Sequence, residues 1–294
     1  MKSPRRVLVA TDFSAGGERA LATGIALAAP AKGEVHVVHA LEIPLPMFEP
    51  YAVALPPELI GAARKTAQEK LAAAGERVRA KGLTGTTHLG EAPASMCVAE
   101  RATAVGADLV VIGTHGHTGL KRFLLGSVAE RTVKESPVSV LTVKGEGHAE
   151  APKTIVVGVD FSSHSTEAVE IAADWARAFG ATLHLVHGLE LRLPFVTPYE
   201  VSVPDALIEA AYAEGRRRLD ALAASLTGVK VQTELASAPA HAALDGLAER
   251  VHADLIVTGS RGLGGIKHAV LGSVAERTLR HAPCSVLTVK SQIG

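Results

Sequence analysis

Short apolar runs rich in β-branched residues recur along the chain at 5–10, 35–40, 85–89, 108–112 and 138–143, and again at 154–159, 183–188, 229–235, 254–258 and 284–289. Most lack strict alternation of apolar and polar positions, the pattern of a strand whose two faces are both covered by helices. Between them run Ala-, Arg- and Glu-rich stretches that read as amphipathic helices, at 15–29, 57–81, 94–106 and up to Pro137, with counterparts at 165–179, 204–225, 240–251 and up to Pro283. Pro30 and Gly180 stand where the first helix of each set stops. Pro93 and Pro239 read as first-turn prolines, where a missing N–H costs nothing. The proline-studded stretches 44–57 and 194–204 are expected to form no regular element, and loops of that length are commonly lids or mobile segments. Each half therefore reads β-α-β-α-β-α-β-α-β, an α/β fold with a parallel sheet.

The halves are copies. Residues 125–132 and 271–278 are the same octapeptide, and the second copy loses two residues between its Pro-rich stretch and its Ala-Pro-Ala segment. The expected domains are 1–144 and 153–294, joined by a linker at 145–152 that carries Gly, His, Glu and Pro without periodicity.

Thirty basic residues balance thirty acidic ones, so no global field recruits nucleic acid or an anionic membrane. No apolar run approaches the ~20 residues of a membrane span. The basic start is followed by an apolar stretch that stops at Asp12, too early for a signal-peptide core, and the chain reads as soluble and cytoplasmic. Cys97 and Cys284 do not correspond between the copies and read as buried thiols of a reducing compartment.

Candidate chemistry lies where strands hand over to helices. The first strand of each copy ends in Asp12-Phe13-Ser14 or Asp160-Phe161-Ser162, with the serine placed to cap the next helix. The fourth runs into a glycine loop, Gly113, Gly116 and Gly126-Ser127 in one copy and Gly259, Gly262 and Gly272-Ser273 in the other. Backbone N–H groups without intrahelical partners converge at such a helix start, and the helix dipole favours an anion there. Glycines at those six positions would let backbone approach phosphate oxygens without a Cβ in the way. Ser127 and Ser273 each precede a glutamate by three, Glu130 and Glu276, a capping-box pattern that explains them without a ligand, although a capped helix still exposes N–H groups to an anion. His115 and Arg261 share one loop position and read equally as a cation for phosphate or as an exposed polar residue. His36 with His39, and His184 with His187, are spaced to face opposite sides of a strand, which suits core or edge histidines rather than a shared metal site. His115 and His117 lack an evident third ligand, and the run 162–165 lacks the Gly-x-Ser-x-Gly elbow of a nucleophile.

These residues resemble the tandem universal stress proteins, whose nucleotide motif Gly-x2-Gly-x9-Gly-Ser/Thr stands complete in both copies. The resemblance implies a Rossmann-like, open five-stranded parallel sheet in each copy, in order 3-2-1-4-5 with helices on both faces. That order puts the aspartate and the glycine loop at one switch point. It implies contacts to ATP, with Mg2+, from Asp12, Ala40, Gly113, His115, Gly116, Gly126, Ser127 and Val128 in the first copy. In the second they are Asp160, Gly188, Gly259, Arg261, Gly262, Gly272, Ser273 and Val274. Members of the family pair through the last strand, which implies an intramolecular pseudo-dimer of the two repeats, and a homodimer is a further possibility.

The leading expectation is an ATP-binding stress-response regulator with slow or no hydrolysis. Its P-loop is absent, since Gly-x4-Gly-Lys-Ser/Thr does not occur at the motif. The alternatives are a nucleotide-hydrolysing or adenylate-forming enzyme on the same fold and a ligand-free interaction scaffold.

Overall fold

The computed structural model describes residues 4–42, 47–48, 51–52, 56–114, 125–145, 151–190, 204–262 and 271–291. Contacts divide the chain into two compact units between Ala151 and Pro152.

In the first unit, β1 (Arg6–Ala10) is followed by α1 (Ala15–Ala28) and β2 (Glu34–Ala40), then α2 (Pro57–Ala80) and α3 (Ala94–Ala104). The short β3 (Met47–Phe48) and β4 (Tyr51–Ala52) precede α2, and β5 (Thr87–Gly90) lies between α2 and α3. The unit closes with β6 (Leu109–Gly113), α4 (Ser127–Glu135) and β7 (Ser139–Val143). All pairings in its five-stranded sheet are parallel, and the order is β5-β2-β1-β6-β7. The first strand thus lies between the second and the fourth, and the carboxyl ends of β1 and β6 border the point where the order reverses.

The second unit repeats this with β8 (Thr154–Gly158), α5 (Ser163–Phe179), β9 (Thr182–Gly188), α6 (Asp205–Ser225), β10 (Lys230–Ala236) and α7 (Ala240–Arg250). It ends with β11 (Leu255–Gly259), α8 (Ser273–His281) and β12 (Ser285–Val289), in sheet order β10-β9-β8-β11-β12.

Burial explains the unbroken apolar runs. Val7, Leu8 and Val9, with Leu109, Val110 and Val111 beside them, have no exposed surface, and neither do Ile155, Val156 and Val157. Each such side chain contributes roughly 1.5–3 kcal/mol by leaving water. Lateral strands are more polar: β5 and β10 are half-buried along most of their length. The chain's single tryptophan, Trp175, is buried on α5, edge-on to Phe179 at 6.2 Å between ring centroids.

At the amino ends of the central strands one aspartate in each unit ties two strands together. Asp108 accepts from the backbone N–H groups of Arg5 and Arg6 at 2.8 and 3.2 Å, and Asp254 accepts from Lys153 and Thr154, both at 2.9 Å. Burial raises the Asp108 carboxyl above the usual aspartate range, against the lowering effect of those donors.

Three local expectations are corrected. The stretch 44–57 contains a regular pairing after all, with Phe48 opposite Tyr51 and Met47 opposite Ala52, dipeptides that keep their N–H donors between the prolines. Pro93 and Pro239 are N-caps, one position before the first turn. Cys97 is buried but Cys284 is only half-buried, and neither forms a disulfide. Residues 194–203 lie outside the described residues. Among the described residues no helix is long and apolar enough to cross a membrane.

Candidate functional site

The turn from β1 into α1 is organised by Ser14. Its Oγ accepts from Gly17 N–H at 3.2 Å, capping α1, and donates to Asp12 Oδ1 at 2.5 Å, while Ser14 N–H donates to the same oxygen at 3.0 Å. The carboxylate is held in place two residues ahead of the cap. Phe13, between them, adopts φ 63°, a left-handed conformation that non-glycine residues enter at a cost of order 1–3 kcal/mol. Packing offsets that strain. The Phe13 ring lies 4.4 Å from the His39 ring, His39 Nδ1 bonds the Thr11 carbonyl at 2.8 Å, and Lys70 Nζ stands 5.3 Å over the ring.

The second unit builds the same turn. Asp160 Oδ1 accepts from Ser162 N–H at 2.9 Å and Oγ–H at 2.5 Å, and Ser162 Oγ caps α5 through Ser165 N–H at 3.2 Å. Phe161 has φ 62°, its ring 4.8 Å from His187, whose Nδ1 bonds the Val159 carbonyl at 2.7 Å. The histidine expectation therefore divides: His36 and His184 are buried, whereas His39 and His187 brace the turn after the first strand of each unit. The repeat of Asp-Phe-Ser together with the outer histidine was the available signal.

The glycine loops are built differently from the capping-box reading. Gly126 and Gly272, in extended conformation, are the N-caps of α4 and α8, and Ser127 and Ser273 stand one residue inside the helix. Glu130 N–H bonds the Gly126 carbonyl at 3.0 Å and Glu276 N–H bonds the Gly272 carbonyl at 2.9 Å, so neither serine caps its helix. The glutamates turn to cations one helical turn on, Glu130 to Lys134 at 2.7 Å and Glu276 to Arg280 at 3.2 Å. Among the described residues, both helix starts carry an exposed serine and no side-chain cap. The loop is pinned to the sheet from below: Thr114 N–H and Ser260 N–H bond the carbonyls of Val143 and Val289, at 3.2 and 2.8 Å. Gly126 and Gly272 in turn donate to Thr114 and Ser260, at 2.9 and 2.7 Å, which spends their own N–H groups on the loop.

Two of the glycines answer to the protein rather than to a ligand. A Cβ on Gly113 would lie 2.8 Å from the backbone carbonyl of Gly16, and one on Gly259 would lie 3.1 Å from that of His164, so glycine here lets the first turn of α1 or α5 close on the sheet. Gly262 differs, since a Cβ there would fall 2.5 Å from Asp160 Oδ2. The loop and the aspartate do meet. His115 and Gly116 lie outside the described residues.

A cavity of about 710 Å³ opens at the carboxyl ends of the first sheet, bordered by Asp12, Ala40, Gly113, Gly126, Ser127 and Val128. Every described member of the first set of expected contacts is therefore brought together. Thr11, His39, Lys70 and Cys97 line it as well, and were missed. So was Glu42, whose Oε1 accepts from Ala94 N–H at 2.6 Å and supplies the cap that Pro93 cannot. The repeated His-x-Leu-Glu of 39–42 and 187–190 was the legible hint.

The second cavity, about 540 Å³, gathers Asp160, Gly259, Arg261, Gly262, Gly272 and Ser273, with Val274 beside them. Gly188 is not among its lining residues. Burial, with Arg261 adding repulsion, holds Lys290 below the usual lysine range. Each cavity is lined by a helix start with a serine hydroxyl and by an anchored carboxylate, a set suited to a ligand that carries both phosphate and hydroxyl donors.

A family model described as Universal stress protein family matches residues 4–144 and again 152–290. Among curated relatives, universal stress protein MJ0531 of Methanocaldococcus jannaschii is 38% identical over 142 residues, covering 47% of this chain and 82% of its own. A universal stress protein of Thermus aquaticus, encoded in the QAH/OAS sulfhydrylase 3' region, is 38% identical over 148 residues, 47% of this chain and 98% of its own. A crystal structure of a universal stress protein from Archaeoglobus fulgidus shares the fold over 98% of this chain and 97% of that one, with a TM-score of 0.72 at 22% identity.

Proposed function

The chain belongs to the universal stress protein family, with two of its domains in tandem, and from that premise we propose that it is an adenine-nucleotide-binding regulator of the stress response with slow or no turnover. One observation carries the proposal: the start of α4, with the exposed Ser127 hydroxyl, and the anchored Asp12 carboxylate line one cavity of about 710 Å³. Phosphates of ATP, taken as the magnesium complex, would meet the N–H groups of α4 and Ser127, and a ribose would donate to Asp12. Ala40 and Leu41, at the end of β2, would border the base. Asp12 suits a binding role, because both of Ser14's donors hold its carboxylate in place.

The test is calorimetric titration of nucleotide-stripped protein with Mg-ATP, followed by assay of the same sample for released phosphate. Saturable binding with little release supports the reading. Absence of binding would leave an interaction scaffold, and fast release would make the protein an enzyme.

We also propose that β7 and β12, the last strand of each sheet, pair within one chain, because an open edge invites association. Sedimentation should then give a monomer over a wide concentration range. A concentration-dependent dimer would count against it.

A further inference from the structure

We infer that the two domains take up nucleotide unequally: the first alone admits the nucleoside, and the chain binds one adenine nucleotide. The inference rests on the nucleotide-binding reading above and on four paired differences, all at the end of the cavity away from the glycine loop.

The floor differs first. Where Ala10 and Val98 line the first cavity, Gly158 and Leu244 line the second, and a Cβ on Gly158 would lie 2.9 Å from Leu244 Cδ1. Leu244 therefore takes the space that the Cβ of Ala10 fills in the first domain, and brings its longer side chain to the wall of the second cavity.

The strand end differs next. Ala40 lines the first cavity, but its counterpart Gly188 is backed by the Ala-Pro-Ala segment, a Cβ there falling 2.7 Å from the Ala238 carbonyl oxygen and 2.8 Å from Ala240 Cα. Backbone has moved into the space a base would border. A glycine is tolerated at Gly188 because its side is already filled.

The roof differs third. Ala63, Thr66 and Ala67 of α2 line the first cavity, whereas no residue of α6 lines the second among those described. Gly215 replaces Ala67 on this roof, facing Leu235 and His187.

The cation differs last. Lys70 reaches the first cavity over Phe13. Its counterpart Arg218 also lies over its phenylalanine, at 5.6 Å from Phe161, but its Nε is held by Glu214 at 3.0 Å. The second domain keeps the phosphate-facing end, with Arg261 and Ser273, and loses the nucleoside-facing end. Buried backbone cannot yield to an aromatic base without unpacking the domain.

Titration of the full chain with Mg-ATP, combined with photolabelling by 8-azido-ATP and peptide mapping, tests the inference. We expect one ATP per chain and label confined to peptides within 4–144. Two ATP per chain with label in both domains would overturn the inequality and leave the nucleotide reading standing. One ATP per chain with label confined to the second domain would overturn the assignment. Absence of ATP binding and of label would overturn both readings together.

Discussion

Ser14 Oγ donates to Asp12 Oδ1 at 2.5 Å and accepts from Gly17 N–H at 3.2 Å, so one hydroxyl both caps α1 and fixes the carboxylate proposed to hold ribose. Replacing Ser14 by alanine should cost about 1 kcal/mol of stability through the lost cap. The released carboxylate should weaken ATP binding by a further three- to tenfold, about 0.6–1.4 kcal/mol. Ser14→Thr keeps the hydroxyl and should recover both. Thermal melts and calorimetry on the pair of variants check this, and equal affinity in Ser14→Ala would remove Asp12 from the ligand set.

At the other wall, binding and stability should move in opposite directions. Ser127→Asp puts a negative charge in the first turn of α4, which favours the helix by roughly 0.3–1 kcal/mol. The same charge repels phosphate and should raise the Kd for ATP at least about tenfold. A stabilised protein that still binds ATP as wild type would show that phosphate does not sit at this helix.

Gly113 is a packing residue in the present account. A Cβ placed 2.8 Å from the Gly16 carbonyl must push α1 off the sheet, and Gly113→Ala should lose roughly 1–3 kcal/mol in ligand-free protein. Gly259→Ala, with its closest contacts at 3.1 Å, should lose less. Denaturant unfolding without nucleotide is the check. If Gly113→Ala is as stable as wild type and loses only ATP, then glycine is there for the ligand.

The lateral edge of the first sheet carries a pH dependence. His88 on β5 bonds Thr86, which also bonds His36 at 2.9 Å, and burial holds His88 down to about 4, with Arg101 and His36 adding repulsion. Its folded value lies below the unfolded one of 6.5, so as pH falls through 6.5 the unfolded chain gains a proton that the folded chain refuses. Stability should decline from there to pH about 4 and then level off. Because the ring is half-exposed, solvent screening limits the loss to about 1 kcal/mol or less. His88→Gln should flatten that part of the profile in urea titrations taken across the window.

Much of this was legible from periodicity. The buried runs around Val7–Val9 and Val110–Val111 could be little else than central strands, and Asp12 with Ser14 announced a capped turn. Strand order was not readable from spacing and came with the family resemblance. The left-handed Phe13 was hidden, because nothing local demands φ 63° of a phenylalanine; His39 and Lys70 hold it there across the fold. The α4 cap was misplaced by one residue, since Gly126-Ser127 offers two capping residues in adjacent registers and Glu130 fits the wrong one. The exchange of size between Gly158 and Leu244 was equally invisible, being written in a contact between residues far apart along the chain.

Trp175 gives the molecule an unintended optical label. As the only indole in the chain, buried on α5, it emits from the second domain alone. Its fluorescence during melting therefore follows the loosening of one domain, while circular dichroism sums helices from both. If ATP anchors only the first, added ATP should shift the dichroism curve more than the emission curve, a split visible in ordinary cuvettes without any introduced dye.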